Sequence, residues 1–356
     1  MLEVSFTKSI GNFSLYSSFS SSKGILGILG SSGSGKSLNL KCIAGLFTPE
    51  TGRISLNGKD LFNGDKGINI PPRKRNIGYV FQNYALFPHL TVCQNITYGV
   101  HKLKKSTRQE KVNEMINKMQ LSGLQDHYPF QLSGGQQQRA ALARTLITQP
   151  ELLLLDEPFS ALDSHISRLL ENELLGLIRN NYDGIVLLVT HNIDEAYRLC
   201  DRIVIFDHGK TLQIGGKEEI IASPANLSAA RITGCNNFLE VDKVAEEDHF
   251  HIFRSKNLVF KVRKKSLLSS SQFIAGVRAN DLRIASAFPN ETNCFTCDVL
   301  EKIDGVFSTT ILVNCLGNNF RVEVSKHDYP HLSACSCKRM MLNIPPDRVF
   351  LLPVEK

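Results

Sequence analysis

Tryptophan is absent from the sequence, and long apolar runs are absent as well. The most apolar runs, Gly24 to Gly30 and Leu152 to Leu155, have the length of a strand and fall short of the ~18 residues that a membrane-spanning helix needs. If the protein works at a membrane, we therefore expect another chain to span it. Residues 1–20 alternate polar and apolar side chains and show no feature of a signal peptide, so export is not expected.

The cysteines give little sign of a disulfide framework or a metal site. The chain has nine of them, an odd number scattered along its length, which predicts reduced thiols in a cytosolic protein. Two pairs have a spacing that resembles metal ligands, Cys294 with Cys297 and Cys335 with Cys337. Because the second spacing is too short for an ordinary zinc knuckle, plain cysteines are favoured over a zinc site.

Positive charge is spread along the chain and is not concentrated on one segment. The net charge is +7, but residues 235–356 contain 16 Lys and Arg against 14 Asp and Glu. A nucleic-acid surface would concentrate that charge, so no nucleic-acid partner is predicted. The length of 356 residues allows two or three domains, and a composition of 42% hydrophobic and 21% charged residues is ordinary for a globular protein.

The first two thirds of the chain have the pattern of an α/β domain. Residues 1–22 alternate around a Gly11-Asn12 turn, which predicts antiparallel strands at a sheet edge. Polar helical segments fill about residues 83–149, which predicts a helical subdomain inserted between two strands. The other apolar runs predict buried strands with helices on both faces of the sheet: Gly24 to Gly30, Ile77 to Phe81, Leu152 to Leu155, Ile185 to Val189 and Arg202 to Phe206.

The remainder of the chain has a different pattern. After a small linker over residues 225–234, residues 235–356 contain short alternating strands separated by turns, which predicts a small all-β barrel or sandwich. The predicted strands are His249 to Phe253, Asn257 to Val262, Phe273 to Val277, Leu282 to Ala285, Cys297 to Ile303, Ser308 to Asn314 and Asn319 to Val324.

A glycine-rich segment matches the pattern G-x-x-x-x-G-K-[ST] without a mismatch and lies between a predicted strand and a predicted helix. Its glycines let backbone N–H groups turn toward an anion, and the helix N-terminus adds partial positive charge. We expect Lys36 to bridge the outer phosphates of a nucleotide and the Ser37 hydroxyl to ligate Mg²⁺. A flexible linker is the alternative, and the flanking strand and helix disfavour it. This phosphate loop comprises Gly30, Ser31, Ser32, Gly33, Ser34, Gly35, Lys36 and Ser37.

Two acids directly follow the apolar run Leu152 to Leu155. Open α/β sheets place their ligand chemistry at the C-terminal ends of strands. We expect Asp156 to hold Mg²⁺ and Glu157 to act as general base toward the attacking water. Two exposed acids after a core strand are common in isolation, but the phosphate loop makes the catalytic interpretation the favoured one.

A third segment just before a predicted helix resembles the signature motif of ATP-binding-cassette (ABC) proteins. In that family the signature of one subunit caps the ATP held by the opposite subunit, so the resemblance implies a homodimer that encloses two ATP molecules. The segment consists of Leu132, Ser133, Gly134, Gly135 and Gln136.

Three further residues of the chain resemble motif residues of this family and occur in the order that the family shows. Gln82 resembles the Q-loop glutamine, which reaches Mg²⁺ and the attacking water. Asp163, in the segment Ser160 to Asp163, resembles the D-loop that crosses to the other subunit, and His191 resembles the switch histidine that contacts the γ-phosphate. An aromatic residue in the N-terminal strands stacks on adenine in this family, and Phe13 is the first candidate with Tyr16 second.

The resemblance implies an α/β fold of the P-loop NTPase class. An ABC cassette with its helical subdomain occupies residues 1–234, and a small all-β domain, OB-like and of the TOBE or MOP type, occupies residues 235–356. A single cassette with such a domain resembles the ATPase subunit of an importer, most like the molybdate and sulfate group. A cassette ATPase for another solute, or a soluble one acting on nucleic acid or ribosomes, is the less favoured alternative.

An importer subunit of this kind has several implied partners. They are integral-membrane permease subunits, a second copy of the chain and, through the complex, an extracytoplasmic solute-binding protein, with the chain at the cytoplasmic face of the cell membrane. By the same resemblance, Ala85 to Leu90 border the groove that receives the permease. The segment Glu291 to Cys294 departs from the Ser-x-x-Asn segment that binds oxyanion in molybdate importers. The β-domain therefore either binds oxyanion or serves only for dimerisation, and the departure disfavours oxyanion binding.

Overall fold

The computed structural model of the chain describes residues 1–160, 164–264, 270–285, 288, 291–327 and 338–354, with the backbone alone for 164–170. The chain forms two compact units, Met1–Lys217 and Glu218–Lys356. The boundary predicted between residues 234 and 235 separates domains that fold independently, which is a different property from the compactness of these two units. It stays a prediction. Within the described ranges, no helix has both the length and the apolar character needed to cross a membrane.

Strands and helices alternate along the first unit. Its strands are β1 (Leu2–Ile10), β2 (Phe13–Ser21), β3 (Gly24–Gly30), β4 (Thr51–Leu56), β5 (Lys59–Asn63), β6 (Ile68–Asn69), β7 (Ile77–Val80), β8 (Leu152–Asp156), β9 (Ile185–Thr190), β10 (Arg202–Asp207) and β11 (Lys210–Gly216). Its α-helices are α1 (Lys36–Ala44), α2 (Val92–Tyr98), α3 (Lys105–Lys118), α4 (Gly134–Leu146), α5 (Ser164–Asn181) and α6 (Ile193–Leu199). Short 3₁₀ helices lie at Pro72–Lys74 and Pro129–Gln131.

The strands of the first unit form one mixed sheet, with eleven strands in the described part of the chain. Its parallel part has the order β7, β8, β9, β3, β10. β8 and β9 are buried along their whole length, as expected of parallel strands covered on both faces. Because β3 and β8 both end at the same edge of this parallel part, the phosphate loop and the two acids come close together.

The N-terminal hairpin forms as predicted, with Ile10 opposite Phe13 around the Gly11-Asn12 turn. Its predicted place at a sheet edge is wrong, because β1 pairs with β2 on one side and with β4 on the other. The strands at the two edges are β6 and β7. An alternating pattern shows which face of a strand is buried, but it carries no information about a second pairing partner.

Between β7 and β8, where every residue is described, the chain contains α2, α3 and α4 and no strand. This is the predicted helical insertion. α4 begins after Ser133, whose side chain and that of Gln136 form a reciprocal capping box. The consecutive residues Ala140, Ala141 and Leu142 are all buried, so the middle of α4 is covered on most of its sides.

The second unit is mostly β-structure, preceded by two short helices. These helices are α7 (Lys217–Ala222) and α8 (Leu227–Ile232). The strands are β12 (Asn237–Glu246), β13 (Phe250–Ser255), β14 (Leu258–Arg263), β15 (Gln272–Val277), β16 (Arg283–Ala285), β17 (Cys294–Asp304), β18 (Ser308–Cys315), β19 (Asn318–Ser325), β20 (Arg339–Asn343) and β21 (Phe350–Pro353).

These strands form two antiparallel sheets, in the orders β14-β13-β12-β15-β21 and β16-β20-β17-β18-β19. Both sheets contribute to one apolar core that includes Phe253, Phe260, Val313 and Phe320, so the prediction of a small all-β domain is confirmed. All seven predicted strands are present. The sequence did not predict β12, β20 or β21, and the predicted linker over residues 225–234 is wrong in part, because α8 occupies most of it.

Candidate active site

The phosphate loop connects β3 to α1. Gly33 and Gly35 have φ angles of 78° and 101°, in the left-handed region that side chains disfavour. A Cβ atom at Gly35 would lie 2.9 Å from the ring of Phe13, so a larger residue would displace that ring. Among the described residues, no side chain caps the N-terminus of α1. Its first backbone amides are therefore available to an anion.

Lys36 is the first residue of α1, and its ammonium group lies back across the loop. Nζ donates hydrogen bonds to the carbonyl oxygens of Gly30 at 2.9 Å and Ser31 at 2.8 Å. Burial lowers the pKa of Lys36, while the negative charges of Glu157 and Asp156 act in the opposite direction. A buried positive charge thus lies between the loop and the two acids.

The other residues of the loop differ in their surroundings. Ser31 donates a hydrogen bond to Asp207 Oδ1 at 3.3 Å, a contact that the sequence did not predict. Ser32 lines the cavity described below. The buried hydroxyl of Ser34 has no hydrogen-bond partner in the part of the chain that the structure describes. At Gly30 a Cβ atom would lie 2.1 Å from a backbone oxygen of β10, which explains the glycine there.

Asp156 is the last residue of β8, and both of its carboxylate oxygens accept a hydrogen bond. Ser37 Oγ donates to Oδ1 at 2.7 Å, and the Tyr79 hydroxyl donates to Oδ2 at 2.7 Å. Hydroxyl and carboxylate oxygens are the ligands that Mg²⁺ takes in proteins, so the groups at this point fit that ion. The contact of Tyr79 was not predicted and arises because β7 lies beside β8.

Glu157 lies in the turn that leaves β8 and has a φ angle of 45°. Its amide donates to the carbonyl oxygen of Val189 in β9 at 3.1 Å, which holds this turn. Its Oε2 lies 3.4 Å from Nδ1 of His191. The side chain of Glu157 is mostly buried and that of His191 is half exposed. The fold therefore brings together two residues that the sequence proposed separately.

Gln82 follows β7 and is connected to the Glu157 turn through Ser160. Gln82 Nε2 donates to Ser160 Oγ at 3.0 Å, and Ser160 Oγ donates to the carbonyl oxygen of Glu157 at 2.9 Å. The side chain of Ser160 therefore links the predicted Q-loop residue to the predicted base. No local pattern indicates this bridge, because Gln82 and Ser160 lie 78 positions apart.

A cavity of about 450 Å³ opens beside the phosphate loop. Phe13 contributes to its wall, whereas the alternative aromatic, Tyr16, is half exposed and lies near the ammonium of Lys210. Four further lining residues were not predicted as part of the site. The described wall consists of Ile10, Phe13, Ser32, Gly33, Gly35, Lys36, Ser37, Leu38, Lys41, Phe47 and Glu157.

The signature segment lies at the N-terminus of α4. Ser133 N donates to Gln136 Oε1 at 2.9 Å, and Gln136 N donates to Ser133 Oγ at 3.4 Å. Leu132 is buried, and Gly134 and Gly135 form the start of the helix. Residues 132–136 are not among those that line the cavity of the same chain. Asp163, the predicted D-loop residue, lies outside the described residues.

A parallel sheet with a strand–glycine loop–helix unit, and with paired acids on a strand of the same sheet, defines a P-loop nucleotide-binding protein. Comparison with known proteins narrows that class. The family model described as ABC transporter matches residues 17–160. The molybdate/tungstate import ATP-binding protein WtpC of Archaeoglobus fulgidus is 38% identical over 245 residues, which are 69% of this chain and 99% of that protein. The chain belongs to the ABC transporter family of ATP-binding proteins.

Other relatives are sulfate/thiosulfate import ATP-binding proteins CysA. The one from Synechocystis is 46% identical over 198 residues, which are 54% of this chain and 53% of the relative. The one from Mesostigma viride is 35% identical over 301 residues, 84% and 82% of the two chains. The match thus spans about half the length of the cyanobacterial relative. The predicted resemblance to the molybdate and sulfate group is confirmed.

Solved structures agree on the fold of the first unit. The structure of cbiO1 from Clostridium perfringens, part of the ABC transporter complex cbiONQ, has a TM-score of 0.53 at 26% identity and covers 62% of this chain and 90% of that one. An ATP-binding cassette solved as a dimer in a post-hydrolysis state with ADP and Pi has a TM-score of 0.50 at 29% identity and covers 61% and 99%. The predicted cassette fold is therefore confirmed.

Proposed function

We propose that this chain is the ATPase subunit of an ABC importer and hydrolyses ATP to drive uptake of a small oxyanion, either sulfate or molybdate. The observation that carries the ATPase proposal is the 2.7 Å hydrogen bond between Ser37 and Asp156, which brings the phosphate loop and the acids of β8 into one site. The choice of an importer rests on the names of the relatives, which are import ATP-binding proteins for sulfate and molybdate.

In this proposal the nucleotide occupies the cavity beside the phosphate loop. Its phosphates accept hydrogen bonds from the uncapped amides at the start of α1 and a charge-assisted bond from Lys36, which exchanges its carbonyl partners for phosphate oxygens. Phe13 supplies the aromatic face for adenine. The phosphate-binding residues are Gly30, Ser31, Ser32, Gly33, Ser34, Gly35, Lys36 and Ser37.

We propose Ser37, Asp156 and Gln82 as the residues that hold Mg²⁺. Ser37 and Asp156 present oxygen atoms that are hydrogen-bonded to each other. Gln82 is linked through Ser160 to the turn at Glu157, the residue that follows Asp156. When bound, the ion supplies neutralisation of negative charge on the β- and γ-phosphates. Tyr79 holds the second oxygen of Asp156, which orients the carboxylate toward Ser37.

Glu157 takes the proton of the attacking water in this scheme. Its carboxylate lines the cavity next to Lys36, and its turn is fixed by β9. We propose that His191 orients that carboxylate and contacts the γ-phosphate, and its Nδ1 lies 3.4 Å from Glu157 Oε2 in support of the first role. General-base assistance of this kind contributes ~10²–10⁴-fold to a rate.

A second copy of the chain completes each site. The signature residues lie at a helix N-terminus, where amides and helix dipole favour an anion, yet they do not line the cavity of their own chain. In this proposal they contact the nucleotide of a partner subunit. The proposed interface residues are Leu132, Ser133, Gly134, Gly135, Gln136 and Asp163.

The chain acts in this proposal with integral-membrane permease subunits at the cytoplasmic face of the membrane, and through them with an extracytoplasmic solute-binding protein. The segment Ala85 to Leu90 is the proposed permease-facing surface. The names of the relatives support the importer assignment, and the identity of the transported oxyanion follows from those names alone.

The β-domain is proposed to serve dimerisation and not oxyanion binding. In the segment that departs from the family pattern, Asn293 has its side chain committed to the backbone. Its Oδ1 accepts from Lys261 N at 2.8 Å, and its Nδ2 donates to the carbonyl oxygens of Lys261 and Ile344 at 2.7 and 2.9 Å. These bonds tie β14 to the strand end at residue 344, which supports a structural role for this asparagine.

Uptake of labelled sulfate and molybdate tests the proposal directly. Cells that carry the chain are compared with cells that lack it and with cells that carry Lys36→Ala. We expect uptake of one of the two oxyanions to fall to background in both of the latter. Unchanged uptake of both would contradict the proposed importer function.

A further inference from the structure

The backbone directly after Gln82 has an unusual conformation. Tyr84 and Ala85, two consecutive residues with side chains, have φ angles of 60° and 45°. Residues other than glycine rarely adopt this left-handed region, and neighbouring contacts must hold them there. The side chain of Tyr84 is buried, so this segment is fixed against the protein and not free in solvent.

Arg144 of α4 holds these two residues. Its Nη1 donates to the carbonyl oxygen of Ala85 at 2.7 Å, and its Nη2 donates to that of Tyr84 at 3.0 Å. Its guanidinium group also lies 5.2 Å from the centre of the Phe87 ring, within the range of a cation–π contact. One planar side chain thus contacts Tyr84, Ala85 and Phe87, three residues of one short segment.

Asn95 of α2 fixes the other end of the segment. Its Oδ1 accepts from Phe87 N at 2.9 Å, and its Nδ2 donates to the carbonyl oxygens of Phe87 and Leu90 at 3.2 and 2.9 Å. Residues 84–90 are therefore tied to the helical insertion at both ends, while Gln82 is tied to the Glu157 turn through Ser160.

The same helix also contacts the loop of the proposed base. Gln138, which is buried in α4, donates to the carbonyl oxygen of Pro158 at 3.2 Å. α4 therefore carries the signature segment at its start and touches both loops that bear Glu157 and Gln82.

We infer that Arg144 is a positioning residue for hydrolysis: its two hydrogen bonds hold the strained backbone at Tyr84 and Ala85 and thereby keep the Gln82 amide at the catalytic turn. This inference rests on the proposed ATPase function. In this inference Arg144 affects the rate of hydrolysis only through the position of Gln82. Loss of Arg144 should therefore lower that rate only when Gln82 is present.

Arg144→Lys is the informative variant, because it retains the positive charge but loses the rigid planar fork whose two nitrogens donate separately to the carbonyl oxygens of Ala85 and Tyr84. The matched control is Arg278→Lys in the second compact unit. Arg278 also donates to two backbone carbonyl oxygens, those of Thr233 and Ile221, and burial lowers its pKa just as it lowers the pKa of Arg144. It lies outside the proposed ATP site.

The first measurement is a double-mutant cycle on the full-length chain with Gln82→Ala. We expect Arg144→Lys alone to lower kcat by ~10–10²-fold, the effect of a slight misplacement of a reacting group, with the KM for ATP nearly unchanged. In the Gln82→Ala background it should cause no further loss. Losses that multiply would overturn the inference. A wild-type chain that shows no ATP hydrolysis would instead count against the proposed function.

The second measurement is amide hydrogen exchange without nucleotide, which does not depend on activity. The amides of Tyr84 and Ala85 bond to Phe81 and Asn83. Arg144→Lys should speed exchange in peptides covering 82–87 and leave peptides from α4 unchanged, and Arg278→Lys should leave both unchanged. Exchange over 82–87 that stays at the wild-type rate in Arg144→Lys would overturn the inference.

Discussion

Lys36 and Asp156 are charged residues that the fold almost completely buries, at 4% and 6% exposure. Burial of a charge is costly unless hydrogen bonds and opposite charges surround it. The ammonium of Lys36 donates to two carbonyl oxygens and lies near two acids. The carboxylate of Asp156 accepts from two hydroxyl groups. Such an arrangement is ready to exchange its internal partners for phosphate oxygens and a cation.

Replacement of Lys36 by alanine is expected to abolish ATP hydrolysis and to weaken ATP binding. Lys36 is the only positively charged side chain in the phosphate loop, residues 30–37. Its hydrogen bonds to phosphate would be charge-assisted, and such a bond is about twice as strong as a neutral one. Titration with ATP and a phosphate-release assay measure the two effects. Wild-type affinity together with wild-type turnover would refute the assigned role.

His191→Ala is expected to lower the rate of hydrolysis more than the affinity for ATP. The imidazole is close to the Glu157 carboxylate, and in the proposed function it orients this reacting group and contributes little to the binding of ATP. Steady-state kinetics separates kcat from KM, and His249→Ala, an exposed histidine of the second unit, serves as the control. If His191→Ala raises KM and leaves kcat unchanged, the histidine contributes to binding instead.

The buried thiols are expected to resist alkylation in the native protein. Burial raises the pKa of Cys42 and of Cys200 to about 12, so almost no thiolate is present at pH 8, and both side chains are inaccessible. Cys93 is partly exposed. Iodoacetamide labelling followed by mass spectrometry should modify Cys93 before Cys42 and Cys200. Equal labelling of Cys42 in the native state would contradict the burial of α1.

At the scale of elements, Arg75 connects the C-terminal end of α1 to the segment before β7. It donates to the carbonyl oxygens of Cys42 and Ile43 at 3.1 and 2.7 Å, to that of Ile70 at 2.7 Å and to the side chain of Asn69. The carbonyl groups at a helix C-terminus have no partners within the helix. Arg75 thus stabilises the helix that presents the phosphate loop.

Arg75→Leu is expected to lower the free energy of unfolding by about 3 kcal/mol, because buried carbonyl groups lose charge-assisted hydrogen bonds. Urea unfolding followed by circular dichroism measures this loss. Arg73→Leu, which changes an exposed arginine two positions earlier, should change the stability little. Equal effects of the two substitutions would show that the buried contacts do not contribute.

At the scale of the whole molecule, the proposed function includes a second copy of the chain, whose signature segment would complete the described wall of the cavity. Glu157→Gln retains the shape of the side chain and removes the base, so ATP should persist in the site while hydrolysis falls by ~10²–10⁴-fold. The persistent γ-phosphate should then hold two chains together. ADP, which lacks it, should release them.

Size-exclusion chromatography of full-length Glu157→Gln with ATP and with ADP measures that prediction. We expect an ATP-dependent shift toward the dimer, and Ser133→Arg added to the same protein should block the shift by placing bulk and charge at the interface. Normal hydrolysis by Glu157→Gln would refute its role as the base. A mass that does not change with ATP would refute closure by the isolated chain.

Elements with a local signal were predictable from the sequence, and elements defined by distant partners were not. The phosphate loop and the strand β8 each occupy one short stretch whose residue types follow from its own conformation. β20 and β21 are short and pair with strands far away in the sequence, so no local pattern distinguishes them. β12 does carry a local strand signal, because buried Leu239 and Val241 alternate with exposed Glu240 and Asp242, and our predictions missed this strand.

The sequence by itself determined which residues are proposed to carry the chemistry, because glycine, lysine, serine and paired acids in this pattern suit phosphates and a cation. Tertiary structure alone decided how these residues are held. Tyr79 meets Asp156 across 77 positions, and Arg144 meets Ala85 across 59. Such contacts depend on strand order and helix packing. A side chain that serves another in this way has no residue pattern of its own, because any donor that reaches the same point satisfies the same acceptor.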